Sequence, residues 1–411
     1  MSAVGGVTSA HHHGSHRHLL SDKTVALPRD VDAIVVPTAR HAAGMRDALA
    51  LANKLDCTLV ALCSKYSSVH ELSALREARN AKLIAIDIER LPSGIVPFFR
   101  TDGLLTGTRF ERWTDTSLKR NLGLLLAKLI GWERIVFLDD DITIPEPLDL
   151  CAAAGLTDIF AGVGLNIDGF PDNSVVCHAY RDAGGAQDMF IGGGALAVPV
   201  RQATSFFPNI YNEDWFFLLG DDGRLRPTAV TGRAVQKEYD PFAHDNRARL
   251  EEFGDSIAEG VFWLLDSGRS IADATTGHWR TFLDNRAAFI TEVVDLVWKM
   301  DGDAAHRARM LSSVKAARGR CQYIRPELCV EYLDAWRADR LTWRNHLSSV
   351  FREQIARKGT KRKDRRSRAA VHDLFRSLGL PESCFRLSLP RERLDEDPAD
   401  LDPEFPYAVG Q

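Results

Sequence analysis

The chain has no CxxC pair, no apolar run long enough to cross a bilayer and no broad excess of basic residues. Its cysteines are scattered singly, at Cys57, Cys63, Cys151, Cys177, Cys321, Cys329 and Cys384. A reduced protein uses cysteine this way, as a small apolar residue, so zinc and disulfide frameworks are set aside. The most apolar stretch, Leu122 to Trp132, is interrupted by Lys128 and falls well short of the roughly 20 residues that a spanning helix needs. No basic start followed by an apolar stretch opens the chain, so no secretory leader is read and the expected location is cytoplasmic. A formal net charge of −4 gives no basic footprint for general nucleic-acid binding.

What is present is 411 residues, 45% hydrophobic and 26% charged, enough for one large domain with an appendage or for two ordinary domains. Residues 1–27 are rich in Gly, Ser and His and read as a disordered leader outside the fold, although His11, His12, His13, His16 and His18 are metal-ligating in type. From Asp32 onward the pattern is regular. Apolar runs at 33–38, 58–62 and 82–86 read as buried strands, separated by helical spacing at 45–55 and 71–80. That alternation predicts an α/β fold with a parallel, doubly wound sheet. A strong helix pattern at 117–130 leads through Gly131 into the strand Arg134-Ile135-Val136-Phe137-Leu138 and then Asp139-Asp140-Asp141. Short strands are expected at 159–164, 175–179, 192–198 and 228–235. Helices follow at 250–265, 279–300, 304–317, 326–337 and 342–355.

Ligands of open parallel sheets bind at the carboxyl ends of strands, and the aspartate triplet sits at such an end. Two carboxylates one residue apart suit a hard divalent cation, Mg²⁺ or Mn²⁺, which would offset charge on a diphosphate. A solvated acidic turn is the bland alternative. Glu213-Asp214, in Tyr211-Asn212-Glu213-Asp214-Trp215, offers a carboxylate able to accept a hydroxyl proton, or simply an acidic first turn favoured by the helix dipole. Gly192-Gly193-Gly194 lets backbone approach a ligand closely; a plain tight turn would use the same residues.

Ser117-Leu118-Lys119-Arg120-Asn121-Leu122-Gly123, followed by the strand ending in Asp139-Asp140-Asp141 and later by Glu213-Asp214, resembles the central signature of GT-A glycosyltransferases, especially family 2. The resemblance covers roughly residues 32–245. It implies a Rossmann-like nucleotide-diphospho-sugar transferase domain with a C-terminal helical extension. It also implies that Asp141 is a metal ligand and that Asp139 contacts the ribose or the metal. Asp140, Arg120 and Asn121 would be donor-binding, and Pro37 and Thr38, ending the first strand, would lie beside the nucleotide base. Asp214 would be the general base of an inverting transfer, with Glu213 orienting the acceptor or its neighbours and Gly193, Gly194 and Trp215 on the acceptor side. The family's acidic end to the second strand is replaced by Leu62-Cys63-Ser64-Lys65, for which Asp87 could substitute, and His244 is the candidate third metal ligand. The implied partners are a nucleotide-sugar donor and an acceptor hydroxyl on a small molecule, a glycan or a lipid.

Two other readings use the same residues. Asp139-Asp140-Asp141-Ile142-Thr143 also resembles the first motif of haloacid-dehalogenase-type phosphatases, with Asp139 as nucleophile and Asp221-Asp222 as a late acidic motif. A GT-A-like domain that binds a sugar nucleotide without catalysis is the non-enzyme alternative. The expected organisation is a leader at 1–27, a transferase domain at 28–246, a helical extension at 247–390 and a disordered acidic tail at 391–411. A basic run at 357–368 offers peripheral contact with an anionic membrane; a solvated helix end or mobile loop is the simpler reading.

Overall fold

The computed structural model describes residues 6–22, 25–171, 173–202, 204–358 and 365–389. In chain order, β1 (Ala33–Thr38), α1 (Arg46–Lys54), β2 (Thr58–Cys63), α2 (Val69–Ala74) and β3 (Lys82–Asp87) form the first strand-helix units. Then come α3 (Arg100–Leu105), α4 (Thr116–Ile130), β4 (Arg134–Leu138), β5 (Ile142–Thr143), α5 (Leu148–Leu156) and β6 (Gly162–Gly169). After α6 (Val175–Asp182), β7 (Ala195–Pro199), α7 (Glu213–Leu218) and β8 (Thr228–Gln236), the chain turns helical: α8 (Asp245–Asp266), α9 (Thr276–Lys299), α10 (Ala304–Cys321), α11 (Pro326–Lys358) and α12 (Arg368–Ser377). A last strand, β9 (Phe385–Ser388), completes one sheet in the order β5-β8-β6-β7-β4-β1-β2-β3-β9.

The fold is mixed α/β. The expected parallel sheet holds for β1 to β4, but β7 runs antiparallel to both β4 and β6, and β9 antiparallel to β3. Alternate residues of each strand go to opposite faces, as the pleat requires. Val35, Val60, Ile84 and Phe137 pack with α4, α8 and α11; Ile34, Val36, Leu59 and Val136 pack with α1 and α5. Both faces are therefore covered, which is why these strands are apolar throughout.

Several expectations are corrected. Residues 175–179 are helical, not extended: Ser174 caps the first turn by accepting from Cys177 N at 3.4 Å, and the Val175 N–H donates to Glu251 at 2.9 Å. The 71–80 helix stops at Leu75, whose extended backbone separates α2 from a 3₁₀ turn at Arg76–Asn80. The two helices expected at 326–337 and 342–355 are one, α11. The extension is not purely helical, because β9 pairs with β3. In the basic run, 359–364 lie outside the described residues, as does the 391–411 tail. Arg366, although exposed, pairs with Asp32 at 2.8 Å. Among the described residues, no helix is long and apolar enough to cross a membrane.

The largest correction concerns the leader. Residues 6–22 are a strap packed on the fold, held at both ends by backbone bridges from Val7 to Gly185 and from Ser21 to Ala229. His12 stacks on Phe289 at 4.3 Å and His13 on Trp263 at 4.1 Å. His16 is fully buried between Glu259 (3.0 Å) and Asp266 (2.6 Å). A Gly-, Ser- and His-rich composition carries no apolar periodicity, so nothing in the sequence marks this segment as ordered; rings and ion pairs hold it instead.

Burial opposes protonation of His16, but Glu259 and Asp266 outweigh it and raise the pKa from 6.5 to about 9. A raised histidine pKa stabilises the folded state fully below pH 6.5 and progressively less as pH rises through 9. Urea denaturation should show that stabilisation fading between about pH 6.5 and 9 in the wild type and absent in His16→Ala. At pH 6 the variant should lose about 3 kcal/mol, the cost of leaving one partner of a buried ion pair. A loss equal at pH 6 and pH 9.5 would overturn the assignment.

Candidate functional site

Antiparallel pairing of β7 with β4 sets Ala195 opposite Leu138. The start of β7 therefore lies beside the end of β4, and the Gly192–Gly194 loop meets the aspartate triplet, Asp139 N donating to Gly194 O at 2.9 Å. The other acidic motif arrives by a tight turn. Asn212 adopts a left-handed backbone, φ 61°, which asparagine tolerates better than most residues, and its side chain donates to Asp255 at 3.2 Å. Asp255 is in turn held by the buried Arg286 at 2.6 Å. Gly254 on α8 lets that turn press close, since a Cβ there would meet Tyr211 backbone atoms at 2.4 Å. The result places Glu213 and Asp214, both buried, at the start of α7.

Arg120 of α4 joins the two motifs. Its guanidinium, 3% exposed, pairs with Glu213 at 2.7 Å and Asp139 at 3.1 Å, over the Phe207 ring at 5.6 Å. Burial disfavours the charge, but Asp139, Glu213 and Asp214 together raise its pKa. Gly193 lies against this guanidinium: a Cβ there would stand 2.2 Å from Arg120 Nη1. The Gly193 N–H donates to Asp214 at 2.5 Å. Burial pushes the Asp139 pKa up against Arg120, with Asp141 and Glu213 adding to the rise.

Asn121, expected at the donor, belongs to the core instead. It is 1% exposed, and its amide exchanges two 2.8 Å hydrogen bonds with the backbone of Phe207. Both of its functions are consumed there, holding the ring beneath Arg120. Trp215 is 9% exposed and packs edge-on to His16 and Phe190.

Two clefts adjoin this centre. A groove is lined by Pro37, Thr38, Arg40, Asp115, Lys119 and the triplet. Thr38 donates to Asp140 at 2.7 Å, and Arg40 binds both Asp140 and, at 3.0 Å, Asp141. Lys119, 1% exposed, donates to Thr38 O (2.9 Å) and Ser64 Oγ (2.7 Å) and pairs with Asp115 (2.8 Å). Burial would raise the Asp115 pKa, but hydrogen bonds to Lys119 and Ser64 bring it below the usual carboxylate value. Asp87 does not join this groove; it caps the turn after β3 through Glu89 N at 3.1 Å and pairs with Arg90 at 3.2 Å. Pairing of β5 with β8 brings the segment after Gln236 past the triplet, so His244 shares a shallow cleft with Arg40 and Asp141. Among the described residues no three carboxylate, imidazole or thiol groups stand assembled as a metal cluster.

A cavity of about 200 Å³, which shares Thr116 and Asp139 with the groove, is lined also by Arg120, Gly193, Asp214, Trp215, the 187–191 loop and the strap residues Ser15 and Arg17. Residues that sequence reasoning missed here are Arg17, Arg40, Asp115, Lys119 and Asn173. Lys119 lay within the motif already noted; the others carry no local signal. The late acidic motif is elsewhere engaged: Asp221 accepts from Arg340 at 2.8 Å and binds Arg344.

Replacing Arg120 by Met should cost about 3 kcal/mol, because Glu213 and Asp139 lose their common cation. Gly193→Ala should cost about 1–3 kcal/mol through overpacking. In a double-mutant cycle read by urea denaturation, most of the Gly193→Ala cost should vanish once Arg120 is Met. Additive costs would show that the guanidinium is not what excludes a Cβ.

No protein-family model matches this chain, and no curated protein matches it. Among solved structures it is similar to the mannosyltransferase PcManGT from Pyrobaculum calidifontis in complex with GDP-Man and Mn²⁺. That similarity is at 12% identity and a TM-score of 0.33, over 89% of this chain and 86% of that one.

Proposed function

We propose that the protein is a GT-A-type glycosyltransferase that moves a sugar from a nucleotide-diphosphate donor to an acceptor hydroxyl. The observation that carries this reading is the convergence, at one strand end, of Asp139–Asp141, Arg120 and Asp214, with a groove and a cavity that meet at Asp139. The donor occupies the groove. Its base lies over Pro37 and Thr38, where Asp115, held in place by the buried Lys119, supplies the acidic group that the end of β2 lacks. The diphosphate lies toward Arg40 and the triplet, and the acceptor occupies the cavity.

The chemistry of the donor set suits a hard divalent cation: Asp139 and Asp141, with a single residue between them, offer oxygens to one groove and His244 shares a neighbouring cleft with Asp141, while Arg40 already supplies positive charge to two of the carboxylates. Mg²⁺ or Mn²⁺ held by Asp139, Asp141 and His244 would neutralise charge on the diphosphate. The remaining steps belong to the protein. Asp214, oriented by the Gly193 N–H, accepts the proton of the acceptor hydroxyl as its oxygen bonds to the anomeric carbon. The bond from that carbon to the diphosphate oxygen breaks, and its electron pair leaves with the nucleoside diphosphate. Attack on the face of that carbon away from the diphosphate inverts the anomeric configuration.

The phosphatase reading lacks this support, since Asp139 is paired with Arg120 and Asp221 with Arg340 and Arg344.

Asp214→Asn should lower sugar transfer at least about 100-fold, the scale of a lost general base. Thermal stabilisation by nucleoside diphosphates should persist in that variant, and Asp141→Ala should lose the Mn²⁺-dependent part of it. Phosphomonoester hydrolysis that depends on Asp139, without nucleotide-sugar turnover, would overturn the proposal in favour of the phosphatase.

A further inference from the structure

The strap does more than pack on the surface, because it reaches both neighbours of the candidate base. Arg17 donates to Asn166 Oδ1 at 3.2 Å and Met189 O at 3.4 Å, and pairs with Asp188 at 3.5 Å. His12 bonds Gln187 at 2.6 Å. These contacts fix the loop that runs into Gly193, whose N–H holds Asp214. On the other flank, His16 packs edge-on to Trp215 at 5.6 Å. Ser15 and Arg17 also line the cavity itself.

We propose that the strap is the outer wall of an acceptor subsite for a compact, uncharged, polyhydroxylated molecule about one or two sugar rings in size. That it holds the acceptor rests on the glycosyltransferase reading; that it binds a neutral sugar does not. Size is the first argument: a cavity of about 200 Å³ is below the roughly 300–1,000 Å³ of pockets for drug-sized ligands, and Ser15 and Arg17 of the strap form part of its wall. Charge is the second. Asp188 is paired with Arg17, Glu259 with His16 and Asp255 with Arg286, so these lining carboxylates bring their own counter-charges. A ligand carboxylate or phosphate would meet Asp214 and Glu259 nearby, and of the lining guanidiniums Arg17, Arg112 and Arg120, Arg17 is already paired with Asp188 and Arg120 with Asp139 and Glu213. Chemistry is the third argument. Carboxylates and amide oxygens accept from hydroxyls, and Asn173, buried in the wall, has an Oδ1 with no hydrogen-bond partner.

Saturation-transfer NMR on the full chain tests this, with methyl α-glucoside, methyl α-mannoside and methyl β-galactoside against glucuronic acid and glucose 6-phosphate. Each is measured with and without UDP or GDP plus Mn²⁺. At least one neutral glycoside should bind about tenfold more tightly than either anionic sugar. Arg17→Ala and Gln187→Ala should weaken it several-fold, with circular dichroism confirming that both variants fold. Binding that both variants leave unchanged, preference for an anionic sugar, or no sugar binding in any condition overturns the proposal. Glycoside binding sensitive to Arg17, with no nucleotide stabilising the protein, supports the subsite while sinking the glycosyltransferase reading.

Discussion

One buried guanidinium organises this molecule's candidate chemistry. Arg120 lies between carboxylates on two separate elements, Asp139 after β4 and Glu213 on α7. Without that cation, Asp139, Glu213 and Asp214 would crowd like charges into a space with little water to screen them. Its surroundings serve it: Asn121 fixes Phe207 beneath the guanidinium, and Gly193 leaves room beside it. The loop that makes this room also supplies the N–H that orients Asp214. Cation, glycine and candidate base are one unit.

A second set of buried charges holds the unit from below. Glu252 and Asp255 of α8 share Arg286, and Asp255 also receives Asn212. Buried ion pairs contribute little net stability once desolvation is counted, so their value here is geometric. They fix the left-handed turn at Asn212 and hence the direction in which α7 leaves it. One further turn along α8, Glu259 receives His16 and anchors the strap. A single helix thus positions both the acidic motif and the outer wall of the cavity.

The groove beside the triplet shows how the three aspartates tolerate their own charge. Arg40 takes Asp140 and Asp141, Thr38 takes Asp140, and Arg120 takes Asp139. Arg40 is more than half exposed and, among the described residues, held only by these contacts, so it can yield to a divalent ion or turn to a diphosphate at little cost. Lys119 by contrast is buried, with three oxygen partners, and is a fixed part of the floor.

The sequence by itself determined what is local. Apolar runs of strand length and helical spacing fixed β1 to β4 and α4 to within a residue or two, and the triplet's place at a strand end followed from that order. Residues 175–179 were misjudged because a short apolar run has no period to distinguish helix from strand, and β9 because a four-residue edge strand carries almost no signal. Only the tertiary structure decided which residues meet. The antiparallel entry of β7 brought Gly193 to the triplet, and Arg120 and Asn121, neighbours in sequence, went to the cleft and to the core because a helix points successive side chains about 100° apart. The strap is the clearest case: its histidines look like a solvated leader until Glu259, Asp266, Trp263 and Phe289, more than 240 residues away in the chain, surround them. Ion pairs and ring contacts made across such distances leave no periodicity in the sequence, so only the folded chain reveals them.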